Sequence, residues 1–375
     1  MFTNFAAISV TFALIVILLE LLVRHRYRLR NGQAFTLKKR LNWNRSYFQP
    51  HPYLPYIYKP RFKLYNPSAS YPYPLHHDKY TIDYPLRTNN LGFIDHNEVV
   101  ARSFGEISVA CLGASTTGNY LSYSDQIEAT SYPIELERLL RKAYPGVSVR
   151  VNNFGVGGWT TAEIVVNYVL NIHPLNPTFI VIYCGANDLP ASYTVPYLTD
   201  YSHARKNLGE SVWKFQLSRF VPNLPLAGYQ LFLQKYWPYL NPRHGILEVS
   251  TKGKADYSTT PDMTGYRNNM RILATLASAN GTIPLFGTFA TRYFEPLGPR
   301  DDYIDLFNGV DLENAVIRDL VESERWDLVD LDRLVPDDES LFVDSMHYSI
   351  EGMKFVATMW SEAIQRLIYK SNWKS

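Results

Sequence analysis

From residue 101 onward, the chain alternates short apolar runs with segments in which apolar residues recur every three or four positions. The first run, residues 107–112, is apolar or small at five of its six positions, which indicates a strand buried on both faces of a parallel sheet. The same pattern predicts strands at residues 147–153, 178–184, 282–288 and 327–331, and helices at residues 131–144, 160–172, 261–280, 311–325 and 349–369. Strands that alternate with helices form a parallel sheet covered on both faces. We therefore predict one three-layer α/β/α domain over residues 101–375.

Two stretches lack this alternation. Residues 41–100 are rich in Pro and Tyr, and because Pro is excluded from helix interiors and central strands, we expect extended chain with many turns. A flexible tether is one interpretation, but so many aromatic side chains need a surface to pack on, and we favour a segment that wraps over the α/β domain. Residues 189–260 are dense in Tyr and Trp and form a predicted insertion, in which packing is favoured over ligand binding.

The N-terminus carries a separate apolar element. Residues 5–23 contain a single charge, Glu20, and nineteen residues of helix cover roughly 28 Å, enough to span a membrane. The stretch lacks the basic leader and the small-x-small site of a cleaved signal peptide, so we predict an uncleaved single-pass anchor. The predicted organisation is a transmembrane anchor at 1–23, a basic juxtamembrane and wrapping segment at 24–100, and the α/β domain at 101–375 with its insertion.

Charge is unevenly distributed on a chain whose net charge is only +2. No Asp or Glu occurs in residues 21–77, whereas eleven Lys or Arg do, seven of them in residues 24–40. No zinc-ligand spacing, glycine-rich RNA motif or recognition-helix pattern accompanies this basic segment, so no nucleic-acid partner is expected. A membrane contacted through residues 5–23 explains the segment better. The positive-inside rule then favours the α/β domain on the cytoplasmic face, although long domains override that bias in some proteins and the side stays open.

The two cysteines, Cys111 and Cys184, lie in predicted buried strands. We expect them to be small core residues, although neighbouring strand ends leave a disulfide open. No CxxC or HExxH pattern occurs in the sequence, and neither a metal nor an organic cofactor is expected.

Side chains suited to acyl transfer follow the predicted strands. That chemistry needs a hydroxyl nucleophile, a base that takes its proton, and a group that orients the base. Ser115 comes directly after the first strand, in a turn of small residues that holds its hydroxyl clear of bulk. His347 is the candidate base because its unperturbed pKa of about 6.5 lies near neutral pH, and Asp344 precedes it by three residues. Asp200 and His203 repeat this spacing, but they lie in the insertion and are not preferred.

Four short segments, GAS, NFG, GAND and DSMH, carry a resemblance to a known family; they lie at residues 113–115, 153–155, 185–188 and 344–347. The first three of these segments directly follow a predicted strand. In this order and placement, Ser115, Gly155, Asn187 and His347 resemble the four residues for which the SGNH hydrolases, the GDSL-type esterases and lipases, are named. The resemblance covers residues 101–375 and implies a flavodoxin-like parallel sheet and a Ser115–His347–Asp344 triad. It also implies an oxyanion hole built from the backbone N–H groups of Ser115 and Gly155 and the side-chain amide of Asn187.

The sequence departs from the family pattern at two positions. Ala114 replaces the Asp of the first family block, which weakens the specificity of the match more than it threatens catalysis. Residues 87–93 resemble a leader segment found in some bacterial members, but Ile94 stands where that segment has an Arg, so a contact made by that Arg is missing.

We expect a membrane-anchored serine esterase that hydrolyses a small acyl ester, with an O-acetyl group on a carbohydrate or lipid-linked glycan as the leading substrate. An O-acyltransferase of the same fold is the alternative, because a sugar hydroxyl in place of water leaves the same sequence signature. A catalytically inactive membrane scaffold is the other alternative. The sequence leaves open the acyl group, the alcohol, the oligomeric state, any protein partners and the role of the insertion.

Overall fold

The computed structural model describes residues 2–31, 48–49, 51–64, 86–118, 131–204 and 256–370. The chain divides into two units, residues 1–50 with 206–250 and residues 51–205 with 251–375. Most of the predicted insertion, residues 205–255, therefore lies outside the described residues. The domain limits predicted at residues 23 and 100 stay predictions.

The first unit contains helix α1, Phe2–Asn31, whose side chains are described for residues 9–23 and 25. The predicted membrane span, residues 5–23, lies within α1, but its first four side chains lie outside the description. Across the described residues, no helix has both the length and the apolar character needed to cross a membrane. The predicted transmembrane helix is therefore not confirmed.

A parallel sheet of five strands forms the centre of the second unit. The strands are β1 (Ile107–Gly113), β2 (Val149–Asn153), β3 (Phe179–Tyr183), β4 (Ile283–Gly287) and β5 (Asp327–Val329). Their order across the sheet is β2-β1-β3-β4-β5, and all four pairings are parallel. This is the order of flavodoxin-like sheets, and it confirms the predicted parallel α/β architecture. Because Cys111 pairs with Asn153 and Gly113 pairs with Tyr183, the carboxyl ends of β2, β1 and β3 lie side by side.

Helices cover both faces of this sheet. Their bounds are α2 (Ser115–Gly118), α3 (Tyr132–Ala143), α4 (Thr161–Asn167), α5 (Leu189–Ser192), α6 (Thr264–Ala279), α7 (Ile304–Glu324), α8 (Leu331–Leu334) and α9 (Ile350–Lys370). Helices α3 and α9 pack together over one face, while α6 packs against α4, α7 and β4 on the other. Trp360 of α9 fits over the sheet because Gly287 has no side chain; a Cβ there would lie 2.6 Å from the indole.

The alternation of side chains along the strands explains the two layers. Ile107, Val109 and Cys111 of β1 join a buried cluster with Leu136 and Trp360 on the α3–α9 face. Ser108, Ala110 and Leu112 point to the opposite face, as the period of two along a strand requires. Cys111 and Cys184 are both buried with free thiols, so the disulfide left open by the sequence is not formed.

The segment that precedes the sheet lies against it. We call the described residues 51–64 and 86–100 the N-terminal strap; it contains the two-residue strands Ile57–Tyr58, Lys63–Leu64 and Leu86–Arg87, of which the last two pair antiparallel. The Tyr56 hydroxyl donates to the carbonyl of Gly157 at 2.7 Å, and the Trp159 indole N–H donates to the carbonyl of Tyr56 at 3.2 Å. The ring of Phe93 packs edge-on against Phe154 at 4.9 Å. The strap therefore contacts the loop that follows β2.

Candidate active site

Ser115 is the first residue of α2, the single helical turn that follows β1. The turn between strand and helix requires a glycine, because a Cβ on Gly113 would lie 2.1 Å from the Thr117 hydroxyl and 2.4 Å from the carbonyl of Tyr183. This tight turn brings the partly exposed Ser115 to the carboxyl edge of the sheet, where open α/β sheets bind their ligands.

The three residues of the predicted triad lie in hydrogen-bond contact. Ser115 Oγ lies 2.8 Å from His347 Nε2, and His347 Nδ1 lies 2.7 Å from Asp344 Oδ2. An ionised carboxylate only accepts hydrogen bonds, so His347 Nδ1 carries the proton and donates it toward Asp344. In the neutral imidazole Nε2 is then an acceptor, and the Ser115 hydroxyl donates to it. This is the arrangement in which histidine can remove the serine proton.

The loop before α9 fixes the histidine and its carboxylate. Asp344 Oδ1 accepts the backbone N–H groups of Met346 at 2.8 Å and His347 at 2.7 Å. Burial raises the pKa of Asp344, but the charge and hydrogen bonds of His347 more than offset that, and the net pKa is lowered. Burial lowers the pKa of His347, but the charge and hydrogen bond of Asp344 outweigh it, and the net pKa is raised above 6.5. The pair is thus held as carboxylate and strong base.

The predicted oxyanion donor Gly155 lies in the loop after β2, close to α2. Its N–H already donates to Asn153 Oδ1 at 2.9 Å, and a Cβ on this residue would lie 2.3 Å from the nitrogen of Gly118. The glycine therefore allows the loop and α2 to approach each other. Gly158, in the same loop, has a φ of 78°, is partly exposed, and has no acceptor for its N–H among the described residues. The role of Gly155 stays a prediction, and Gly158, which the sequence reasoning missed, is a second candidate donor that the Gly-Gly pair at 157–158 could have indicated.

The predicted side-chain donor, Asn187, follows β3 and is partly exposed. One N–H of its amide donates to the carbonyl of Trp159 at 3.0 Å, which orients the group and leaves its second N–H for another acceptor. The residue before it, Ala186, has a left-handed φ of 63°. Such a conformation is costly for alanine, so the surrounding structure must hold it in place.

Glu313 of α7 binds the backbone of the turn at Ala186. Its Oε2 accepts the N–H of Ala186 at 2.7 Å, and its Oε1 has no partner among the described residues. Asp188, two residues after Ala186, accepts hydrogen bonds from both the backbone N–H and the hydroxyl of Thr161. Burial raises the pKa of Asp188 to about 6, and burial together with the charge of Asp188 raises the pKa of Glu313 well above its ordinary value. Glu313 stands in no sequence motif, and only the fold brings it to the site.

Residues 111–355 match the family model described as GDSL-like Lipase/Acylhydrolase family. The chain belongs to this family. As a GDSL-like acylhydrolase it is a serine hydrolase that acts on ester bonds. No curated protein sequence matches the chain.

Two solved structures that resemble this GDSL-like acylhydrolase are both bacterial. A catalytic mutant of Axe2, an acetylxylan esterase from Geobacillus stearothermophilus, is 16% identical with a TM-score of 0.42, over 71% of this chain and 95% of its own. A GDSL-like lipase from Bacteroides thetaiotaomicron VPI-5482 is 14% identical with a TM-score of 0.40, over 73% of this chain and 93% of its own.

The alternative pair in this GDSL-like acylhydrolase, Asp200 and His203, is not joined to Ser115. Both ring nitrogens of His203 serve the insertion itself, since Nε2 donates to the carbonyl of Ala191 at 2.9 Å and Nδ1 accepts the N–H of Leu198 at 3.2 Å. The described part of the chain contains no group of three or more His, Cys, Asp or Glu residues that could hold a metal ion.

Proposed function

We propose that Ser115 is the nucleophile, His347 the general base and Asp344 the orienting carboxylate of a serine esterase. The observation that supports this is the continuous hydrogen-bonded chain from Ser115 Oγ through the imidazole to Asp344, at 2.8 and 2.7 Å. His347 Nε2 takes the proton of the Ser115 hydroxyl as Oγ attacks the ester carbonyl. The same nitrogen then gives that proton to the departing alcohol, which leaves an acyl-serine. Water, deprotonated by His347, attacks this acyl-serine and releases the acid.

Charge that develops on the carbonyl oxygen needs preorganised donors. The free N–H of the Asn187 amide is the side-chain donor in this proposal, together with the backbone N–H of Ser115 and an N–H of the loop after β2. The two loop candidates are Gly155 and Gly158. The Gly155 N–H would have to leave Asn153 Oδ1 to serve, whereas the Gly158 N–H breaks no contact with a described residue.

The proposed substrate is a small acyl ester, an O-acetyl group on a carbohydrate or a lipid-linked glycan. The family match supports an acyl ester, and the acetyl group and the glycan are the finer part of the proposal. Turnover of p-nitrophenyl acetate, butyrate and octanoate tests the acyl group. A preference for octanoate would contradict the acetyl assignment, and release of less free acetate than nitrophenol in the presence of a sugar would indicate acyl transfer instead of hydrolysis.

Labelling by a fluorophosphonate probe tests the nucleophile directly. The wild-type protein should be labelled at Ser115, and Ser115→Ala should lose both labelling and turnover of p-nitrophenyl acetate. His347→Ala should lose about three or more orders of magnitude in kcat, as expected for a base coupled to a nucleophile. His203→Ala is the matched control and should lose little. Labelling that survives in folded Ser115→Ala, or the reverse order of the two histidine variants, would contradict the assignment.

A further inference from the structure

Asp95, a carboxylate of the N-terminal strap, holds the end of β2. Its side chain is 1% exposed. Oδ2 accepts the backbone N–H of Asn153 and the side-chain amide of Asn152, each at 3.0 Å, and Oδ1 accepts the N–H of Asn97 at 3.0 Å. A buried carboxylate is tolerated when donors surround it in this way. Because β2 ends at Asn153, Asp95 fixes the point at which the following loop begins.

Asn153 extends this contact into the loop. Its Oδ1 accepts the N–H of Gly155 at 2.9 Å, whereas its Nδ2 has no hydrogen-bond partner among the described residues. A buried amide group left unpaired destabilises the fold, so the contribution of Asn153 comes through its oxygen. The loop ends at Trp159, whose carbonyl orients the amide of Asn187.

We propose that Asp95 is a positioning residue for ester hydrolysis, acting through Asn153 on the loop of residues 153–159. This loop supplies a backbone oxyanion donor, and through the carbonyl of Trp159 it sets the position of Asn187, which follows β3, the neighbour of the strand that leads to Ser115. The inference rests on the proposed function of Ser115. Asp95 lies outside residues 111–355, the part of the chain that matches the family model.

The expected effect is on turnover, not on substrate binding. Oxyanion donors act over a narrow range of about 2.7–3.1 Å from the charged oxygen. A displacement of about 1 Å in a catalytic group is enough to lower the rate about a hundredfold. The ground-state carbonyl carries little charge, so the loss falls on kcat while KM changes little.

The ionisation of Asp95 offers a readout that a purely structural residue would not give. Burial raises the pKa of Asp95 to about 6. The titratable and charged groups around it are His96 at 3.6 Å, Glu137 of α3, which contacts the same histidine at 3.3 Å, and Arg141, which pairs with Glu137. The thiol of Cys111 on β1 faces it as well and is neutral, because burial raises its pKa. Protonation removes the negative charge that strengthens these three hydrogen bonds and adds an O–H group among donors, so activity should fall as Asp95 is protonated.

The test compares Asp95→Asn with Glu106→Gln, a matched control that directly precedes β1 and contacts the first residues of β2, the opposite end from the one that Asp95 holds. The carboxylate of Glu106 is also buried; it accepts the N–H of Ser103 at 2.9 Å and pairs with Arg150 of β2 at 2.7 Å. With p-nitrophenyl acetate, we expect Asp95→Asn to lower kcat about 10- to 100-fold with KM within about threefold. Glu106→Gln should change kcat less than about threefold, even if it lowers Tm by as much as Asp95→Asn does. Asn153→Ala should lower kcat in the same direction, and the double variant should lose less than the product of the two single losses, because both changes act on one path.

The pH profile separates positioning from general destabilisation. In the wild type the loss of a proton from His347 and from Asp95 both raise activity, so the acidic limb of log(kcat/KM) should be steeper than a slope of 1 just below about pH 6, and in Asp95→Asn it should keep a slope of 1 throughout. Folded Asp95→Asn with the kcat of the control, or with only a raised KM, would overturn the inference. If Asp95→Asn does not fold, unchanged kcat in Asn153→Ala overturns it instead. Absence of wild-type turnover and of labelling at Ser115 would reject the proposed function itself, and this inference with it.

Discussion

Replacing Asp344 by Asn should reverse the polarity of the triad without changing its shape. In the wild type, Asp344 Oδ1 accepts two backbone N–H groups while Oδ2 accepts from His347 Nδ1. An asparagine keeps the two backbone bonds only if its carbonyl oxygen takes the place of Oδ1. Its NH₂ group then faces Nδ1, which must become an acceptor, and the ring proton moves to Nε2. An Nε2 that carries a proton cannot take one from Ser115.

The size of the effect follows from the same geometry. Charge centres about 4 Å apart at an effective dielectric constant of about 20 interact by about 4 kcal/mol. Loss of that stabilisation of the imidazolium in the transition state corresponds to about a thousandfold in kcat. The wrong tautomer adds to this loss, so we expect kcat to fall about 10³- to 10⁴-fold; in Ser-His-Asp triads this change lowers kcat about 10⁴-fold.

The pH profile of kcat/KM checks the reasoning independently of the size of the loss. His347 acts as a base when neutral, so wild-type activity rises with pH through its pKa. Burial lowers that pKa, and the Asp344 charge and hydrogen bond raise it by more. Without Asp344 only the lowering remains, and the rising limb of the profile should move to lower pH. A kcat loss of less than about tenfold, or a limb that stays in place or moves to higher pH, would refute the role of Asp344.

Three further outcomes are expected. Asn187→Ala should lower kcat about a hundredfold, through loss of about 3 kcal/mol of oxyanion stabilisation, with KM nearly unchanged, and Asn187→Asp should be worse because a carboxylate repels the developing charge; a rise in KM alone would place the oxyanion hole elsewhere. The pKa of Glu313 is higher in the folded than in the unfolded chain, so its contribution to stability is lost as pH rises. In urea unfolding, the free energy of unfolding of Glu313→Gln should therefore increase relative to that of the wild type from about pH 5 to pH 8. A difference that stays constant over this range would contradict the raised pKa. The location at a membrane stays a prediction. After alkaline carbonate washing, the full chain should stay in the membrane fraction, and a chain lacking residues 1–23 should not. A full chain that washes off would contradict this prediction.

The strands could be predicted to within about two residues because each is a continuous apolar run bounded by polar turns. Helix α7 shows where such reasoning stops. The sequence pattern predicted this helix at residues 311–325, because Asn308 and Gly309 disfavour a helix. In the structure the helix begins at Ile304 and includes both residues. Gly309 packs against Leu189 so closely that a Cβ would lie 2.8 Å from that side chain. Tertiary contact therefore overrides the local preference.

The candidate site also contains residues that the sequence indicates and residues that only the fold brings there. Ser115, Asp344 and His347 could be found because their chemistry is tied to strand ends and to a three-residue spacing along the chain. Glu313 and Asp95 could not, because the contacts that connect them to the site are made to Ala186 and Asn153, which lie 127 and 58 residues away in the sequence. The N–H of Gly155 was expected to be an oxyanion donor; in the structure it donates to Asn153 Oδ1, and its role stays a prediction. A motif places a residue in the right loop, but the contacts within that loop depend on its three-dimensional neighbours.

The N-terminal strap determines how far the chain can be shortened from its N-terminus without exposing the α/β domain. The family match begins at residue 111, and a fragment that starts there or at residue 101 looks complete by sequence. Such a fragment would lack Phe93, which covers Phe154, and Tyr56, which accepts from the indole of Trp159. It would expose apolar surface that the strap buries, and such surface favours aggregation. A fragment that begins at residue 51, the first residue of the second unit, retains these contacts and is the better starting point for expression.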